Sequence, residues 1–234
     1  MSSRLLDRFA STFRGQQYIH RNSSLGDRIA VNLYEDLFAV GKSEKFVGRV
    51  KGASHVVNLK NARQGIKARR GDGTFGERLD TSPPFIEDGF QVPRGNIATI
   101  EIGAEVKILA KAMIKQIDRV IGDLVKQAEQ FRTRGGSPIC VGIVGINFAD
   151  RYTSFERDRA YATDGKTYKH PIQEAEEAQD RIERQASQAF DELLILPFRA
   201  RNEPPYDFEW VAARRVADDY AAILIRISRL YEKQ

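Results

Sequence analysis

The sequence predicts an α/β (α+β) fold in which a central mixed β-sheet is flanked by helices, and three consecutive stretches carry that expectation. Ile100, Ile102, Ala104, Val106 and Ile108 alternate with Thr99, Glu101, Gly103, Glu105 and Lys107. That is the period of a strand with one apolar and one polar face. Met113, Ile114, Ile117, Val120, Ile121, Leu124, Ala128 and Phe131 then recur at the i, i+3, i+4 spacing of a long helix with one buried side. Residues 139 to 146, Ile-Cys-Val-Gly-Ile-Val-Gly-Ile, are apolar throughout, as in a strand covered on both faces.

The other elements follow in order. Leu5, Leu6, Phe9 and Phe13 lie at helical spacing in the opening segment, to about Arg14. Asp27 is an N-cap candidate for a second helix whose stripe is Ile29, Leu33, Leu37 and Val40, with Gly41 as its terminator. Residues 46 to 50 and 55 to 59 read as short β-branched strands, and 65 to 70 as their continuation. Pro83, Pro84, Gly89, Pro93 and Gly95 mark an irregular connection, with room for a short strand over 85 to 92. Arg134-Gly-Gly-Ser-Pro138 ends the long helix. Residues 149 to 170 have no clean period and read as a long surface loop; a helix over 172 to 190, a strand over 193 to 198 and a closing helix over 209 to 231 complete the chain.

Composition bounds the function. The chain has 234 residues, 41% hydrophobic and 29% charged, enough for a core built without disulfides or metals. It reads as a single domain with its core at about 24 to 200, the helices at 3 to 14 and 209 to 231 being appendages. A single cysteine, Cys140, and three scattered histidines (His20, His55 and His170) argue against a disulfide framework and against zinc. The net charge of +5 is compatible with a polyanionic partner. No apolar run approaches a membrane span and the N-terminus has no signal-peptide core, so a cytoplasmic chain without a membrane partner is expected.

Chemistry concentrates at Glu105-Val-Lys107. Side chains at i and i+2 of a strand share a face, so this carboxylate and this ammonium lie side by side, with Glu101 further along. With a second acid from a neighbouring strand, the carboxylate would hold Mg²⁺ through hard oxygen ligands, while the lysine serves an attacking water. A solvated cross-strand pair is the bland alternative. Here the E-x-K strand is followed at once by a long helix, and is preceded by a strand hairpin with an aspartate and a first helix with an acid. That layout resembles the PD-(D/E)xK nuclease superfamily over about residues 24 to 148.

The resemblance implies a restriction-endonuclease-like core and Mg²⁺-dependent cutting of double-stranded DNA, with Mn²⁺ as a substitute. It implies a second metal ligand on the strand before E-x-K. The matching position is Asp72, in Arg69-Arg-Gly-Asp-Gly-Thr-Phe-Gly76, with Asp88, in Glu87-Asp-Gly-Phe90, as competitor; neither follows a proline. Glu35 fills the place of an acid from the first helix. By analogy with restriction enzymes, a homodimer of restriction or defence type is expected. Arg69 and Arg70, with Lys67, and the helix residues Lys111, Lys115, Arg119 and Lys126 are candidate phosphate contacts, or else solvated faces. The aromatics and bases between Arg151 and Lys169 suit a DNA-contact loop, an oligomer contact or a lid. Gly41-Lys-Ser43 lacks the strand and glycine of a phosphate-binding loop and reads as a helix end. The competing expectation is a catalytically inactive protein on the same scaffold that binds nucleic acid or assembles with itself.

Overall fold

The computed structural model describes residues 3–19, 24–58, 71–80, 83–111, 113–133, 136–156, 159–163 and 171–234. Within them lie helices α1 (Arg4–Ser11), α2 (Ser24–Val40), α3 (Glu44–Lys51), α4 (Met113–Arg132), α5 (Pro171–Gln185) and α6 (Ala213–Lys233). The strands are β1 (His55–Asn58), β2 (Gly73–Glu77), β3 (Arg94–Gly95), β4 (Ile102–Leu109), β5 (Ile139–Asn147), β6 (Tyr152–Glu156), β7 (Arg159–Thr163), β8 (Glu192–Arg199) and β9 (Glu209–Trp210). A seven-stranded sheet runs β3-β1-β2-β4-β5-β8-β9, and β6 and β7 pair separately. The sheet is mixed: β4, β5 and β8 are mutually parallel, whereas β2 is antiparallel to both β1 and β4. Among the described residues no helix is long and apolar enough to cross a membrane.

Both faces of the sheet are covered, which is why β5 is buried at every position. On one face α1, α2, α3 and α6 pack on Ile102, Ala104, Val106, Val141 and Ile143. On the other, α4 and α5 pack on Leu109, Cys140, Val144 and Ile146. The terminal helices belong to the first of these cores: Leu5, Phe9, Ile227 and Tyr231 have no exposed surface. The cysteine is inert core, its thiol pushed up to about 11 by burial.

Several elements differ from the sequence expectation. Residues 46 to 50 form part of α3 instead of a strand. The Ser43 hydroxyl accepts from the Phe46 backbone N–H as an N-cap, and Phe46 and Val50, one turn apart, both face the core. Gly41, at φ +62°, closes α2 just before. Asp27 stands inside the first turn of α2 rather than capping it, a place where a carboxylate is equally favoured by the helix dipole. The expected strand over 85 to 92 reduces to one bridge, between Phe85 and Arg94. The expected loop over 149 to 170 contains the β6–β7 hairpin, and Glu209–Trp210 forms an edge strand before the last helix begins. The strand read over 65 to 70 lies outside the described residues.

Close approach of α1 to the sheet depends on Gly145. A methyl group there would enter the ring of Phe9, which is itself held by Phe13, Phe198, Phe208 and Trp210. With that ring fully buried among four others, Gly145→Ala is expected to destabilise the chain by about 1–3 kcal/mol, as read by urea unfolding; an unchanged midpoint would contradict this packing.

Candidate active site

The site forms where β2 stops and β4 continues. Gly73 pairs with Ala104, so one further step in the same register sets Asp72 opposite Glu105. No strand residue of β2 remains to receive the next amide of β4. The Asp72 carboxylate takes that place, accepting from the Val106 N–H at 2.8 Å. On its other side lies the first turn of α2. A Cβ at Gly26 would be 2.5 Å from the Asp72 carboxyl carbon, so only glycine leaves room for the acid.

Glu105 points to the α4 face of the sheet, as does Gly103, whose hydrogen stands where a Cβ would strike the Phe131 ring at 2.7 Å. Glu105 is buried, 5% exposed. Its Oε1 accepts from the Lys107 ammonium at 2.5 Å, while Oε2 is buried with no hydrogen-bond partner among the described residues. Burial, and then the negative charge of Asp72, push the Glu105 carboxyl up to about 7 against the opposing pull of Lys107. At Glu105 the pull of Lys107 does not offset burial and the Asp72 charge, and a cation beside the two acids would relieve both.

Asp72, Glu105 and Lys107 are thus brought together. Asp88 is not: it lies exposed in a turn next to β3, the edge strand beyond β1 and β2. Glu101 precedes β4 and serves a different cluster. It accepts from Arg49 at 2.7 Å and from the Tyr231 hydroxyl, and bonds the His55 ring at 3.0 Å, ties that join α3, β1 and α6. These partners hold its carboxyl charged, below the usual range, even against burial. Glu35 is also structural, accepting from the backbone N–H groups of Gln91 and Val92 at 2.9 and 2.8 Å and from Arg4 at 2.9 Å. The acid of α2 on the side of Asp72 is Asp27; these two acids line a common cavity that Glu105 and Lys107 do not reach. The signal of Asp27 in the sequence was its place one residue after Gly26, the glycine that faces Asp72.

Arg69 and Arg70 lie outside the described residues. Lys115, Arg119 and Lys126 are exposed on α4, and Lys111 is half-buried between β4 and α4. Tyr161 of the β6–β7 hairpin is 46% exposed, whereas Tyr152 is buried.

The donors present fit a hard divalent cation. Mg²⁺ is commonly bound by one or two carboxylates, with waters and substrate phosphate completing its shell, and Asp72 and Glu105 are two carboxylates whose mutual repulsion a cation would relieve. Among the described residues no group of three or more His, Cys, Asp or Glu side chains could hold a metal. Comparison of the chain with models of known protein families, with curated proteins and with solved structures finds no match.

The crowding of charge has a measurable cost. Between the ordinary carboxylate range and about 7, the folded chain keeps a proton on Glu105 that the unfolded chain has lost, so stability falls as pH rises through that window. Glu105→Gln is therefore expected to stabilise the metal-free protein by on the order of 1–3 kcal/mol near pH 8 and by much less near pH 5, as read by unfolding at both values. A variant less stable than wild type at both would contradict the electrostatics.

Proposed function

We propose that this chain is a Mg²⁺-dependent endonuclease hydrolysing phosphodiester bonds of double-stranded DNA. The observation that carries the reading is the meeting of Asp72 with the Glu105–Lys107 pair at the end of β2. The E-x-K strand, the long helix after it, and before it a strand hairpin with an aspartate and a first helix with an acid are the features by which the sequence resembles the PD-(D/E)xK nucleases. Asp72 and Glu105 would hold the metal. When bound, Mg²⁺ supplies Lewis acidity at a phosphoryl oxygen and lowers the pKa of its water.

The chain's own residues do the rest. The Val106 N–H and the bare Cα of Gly26 fix the Asp72 carboxylate. Lys107, 30% exposed at its side chain, reaches from the buried Glu105 toward solvent. There its ammonium would orient the attacking water and offset negative charge as the water oxygen, its proton passing to solvent, bonds phosphorus and the bridging P–O bond breaks, the leaving oxygen taking a proton from solvent. The exposed bases of α4, Lys115, Arg119 and Lys126, would suit phosphates further along the duplex. A homodimer, placing one such site on each strand, completes the proposal.

Two experiments test it. Incubated with supercoiled plasmid and Mg²⁺, the wild type should nick or linearise DNA and be silenced by EDTA. Asp72→Ala, Glu105→Ala and Lys107→Ala should each lose at least about a hundredfold in rate. Undiminished cutting by Glu105→Ala would refute the site, and no cutting of any DNA by wild type would favour the non-catalytic scaffold. Gly26→Ala separates positioning from folding. Alanine favours a helix over glycine by up to about 1 kcal/mol, so the melting temperature should hold or rise while cleavage falls, because the methyl displaces Asp72.

A further inference from the structure

On the side away from Asp72 the main sheet ends at β8, and β9 covers only Phe198 and Arg199 of that strand. The Val211 N–H donates to the Pro197 carbonyl, so the Pro197 backbone faces β9. The Phe148 N–H donates to the Phe198 carbonyl, so Phe198 faces the β5 side. Alternation along the strand then turns the N–H and C=O groups of Leu193 and Ile195 to the outer edge, where no described residue bonds them. Exposed strand edges are commonly guarded by lysine or proline. Residues 192 to 196, Glu-Leu-Leu-Ile-Leu, contain neither.

A groove follows this edge. α5 walls it through Glu183 and α6 through Asp219, Ala222 and Arg226, with Leu193 and Ile195 between them. The level of α6 along β8 follows from its contacts. Arg226 holds both carboxylate oxygens of Glu192, at 2.7 and 2.8 Å, and the helix begins just after Val211, which is bonded to Pro197. α6 therefore runs antiparallel to β8. Two strand residues span about 7 Å, or roughly four to five residues of helix, which brings Ala222 level with Leu194.

We propose that this edge pairs antiparallel with the same edge of a second copy of the chain, about a twofold axis at Leu194, so that the two sheets become one. Leu193 then lies opposite Ile195 of the partner copy, and each such pair exchanges both backbone bonds. No other centre uses all the outward groups. An axis at Ile195 would set Leu193 against Pro197, which has no N–H and whose carbonyl is taken by Val211. An axis at Leu193 would set Ile195 against Asp191, whose N–H already donates to Cys140. The same axis lays α6 beside its counterpart with the small Ala222 at the meeting point. Asp219 and Arg226 stand three residues before Ala222 and four after it, so the acid of each copy meets the base of the other. Their side chains are 59% and 50% exposed in the single chain and free to do so. Charge complementarity and the backbone register thus select one occupant. The pairing gives the homodimer named above an interface, and it stands on the strand edge alone, whether or not the chain cuts DNA.

The test is sedimentation equilibrium of the whole chain without DNA or metal, where a reversible species of twice the chain mass is expected. Two variants address the interface. Ile195→Pro removes an outward N–H at a position where an edge strand tolerates proline, and Ala222→Glu sets two carboxylates on the axis. Each should weaken association at least about tenfold while keeping a cooperative melting transition. A short bis-maleimide should join two copies of Ala222→Cys. It should not join Ala221→Cys, whose exposed side chain faces a different groove, beside α1 and α2. A chain monomeric at every concentration would leave the edge to an extended peptide of another protein and overturn the self-pairing. So would a dimer that both folded variants retain, or equal cross-linking at 221 and 222. Because association is read without substrate, its failure leaves the site at Asp72 and Glu105 untouched, and a failure of cleavage leaves the dimer untouched.

Discussion

Two carboxylates that repel one another are held together by the end of a strand. β4 runs on past its partner β2, and the amide of Val106, left without a backbone acceptor, is met by the side chain of Asp72. That bond brings Asp72 to Glu105 although burial and like charge oppose it. Such an arrangement makes the folded chain less stable than a neutral pair would, and persists only where the surrounding structure over-determines it.

That determination comes from the layers. β4 cannot shift along β5, because eight successive residue pairs fix their register in the middle of a sheet covered on both faces. α2 is set against β2 through Gly73, where a Cβ would lie 2.9 Å from that of Ala30, and the same helix presents Gly26 to Asp72. Its far end is anchored by Asp36, which accepts from the first backbone amides of α1 and from Tyr220 of α6. A side-chain acid at the strand end is thus held by a helix that the terminal helices hold in turn. The helices read from the sequence as appendages are part of the support of the site.

The legible elements were those whose burial pattern is local. The period of β4, the stripe of α4 and the continuous apolar run of β5 each declare their environment within a dozen residues. α3 was misread because Phe46, Val47 and Val50 have strand-like side chains, and what decides for the helix is the hydroxyl of Ser43 before them. β6 and β7 pair with each other and bury little of β7, so no apolar alternation marks them. At the site, Glu105 and Lys107 were legible because one strand carries both. Asp72 could not be separated from Asp88, since the choice rests on a cross-strand register set by residues some thirty positions apart. Glu35 and Glu101 looked equally available, and only tertiary contacts show them bound to backbone amides, arginines and a histidine.

If the purpose of holding Asp72 against Glu105 is to bind a divalent cation, equilibrium titration of the metal-free chain with Mn²⁺, followed by its paramagnetic resonance signal, tests it without reference to any substrate. Asp72→Asn keeps the acceptor for Val106 and removes one charge. The expected result is saturable binding by the wild type, weakened at least about tenfold in Asp72→Asn and in Glu105→Gln. Saturable binding that Asp72→Asn leaves unchanged, or none at all in the wild type, would contradict it.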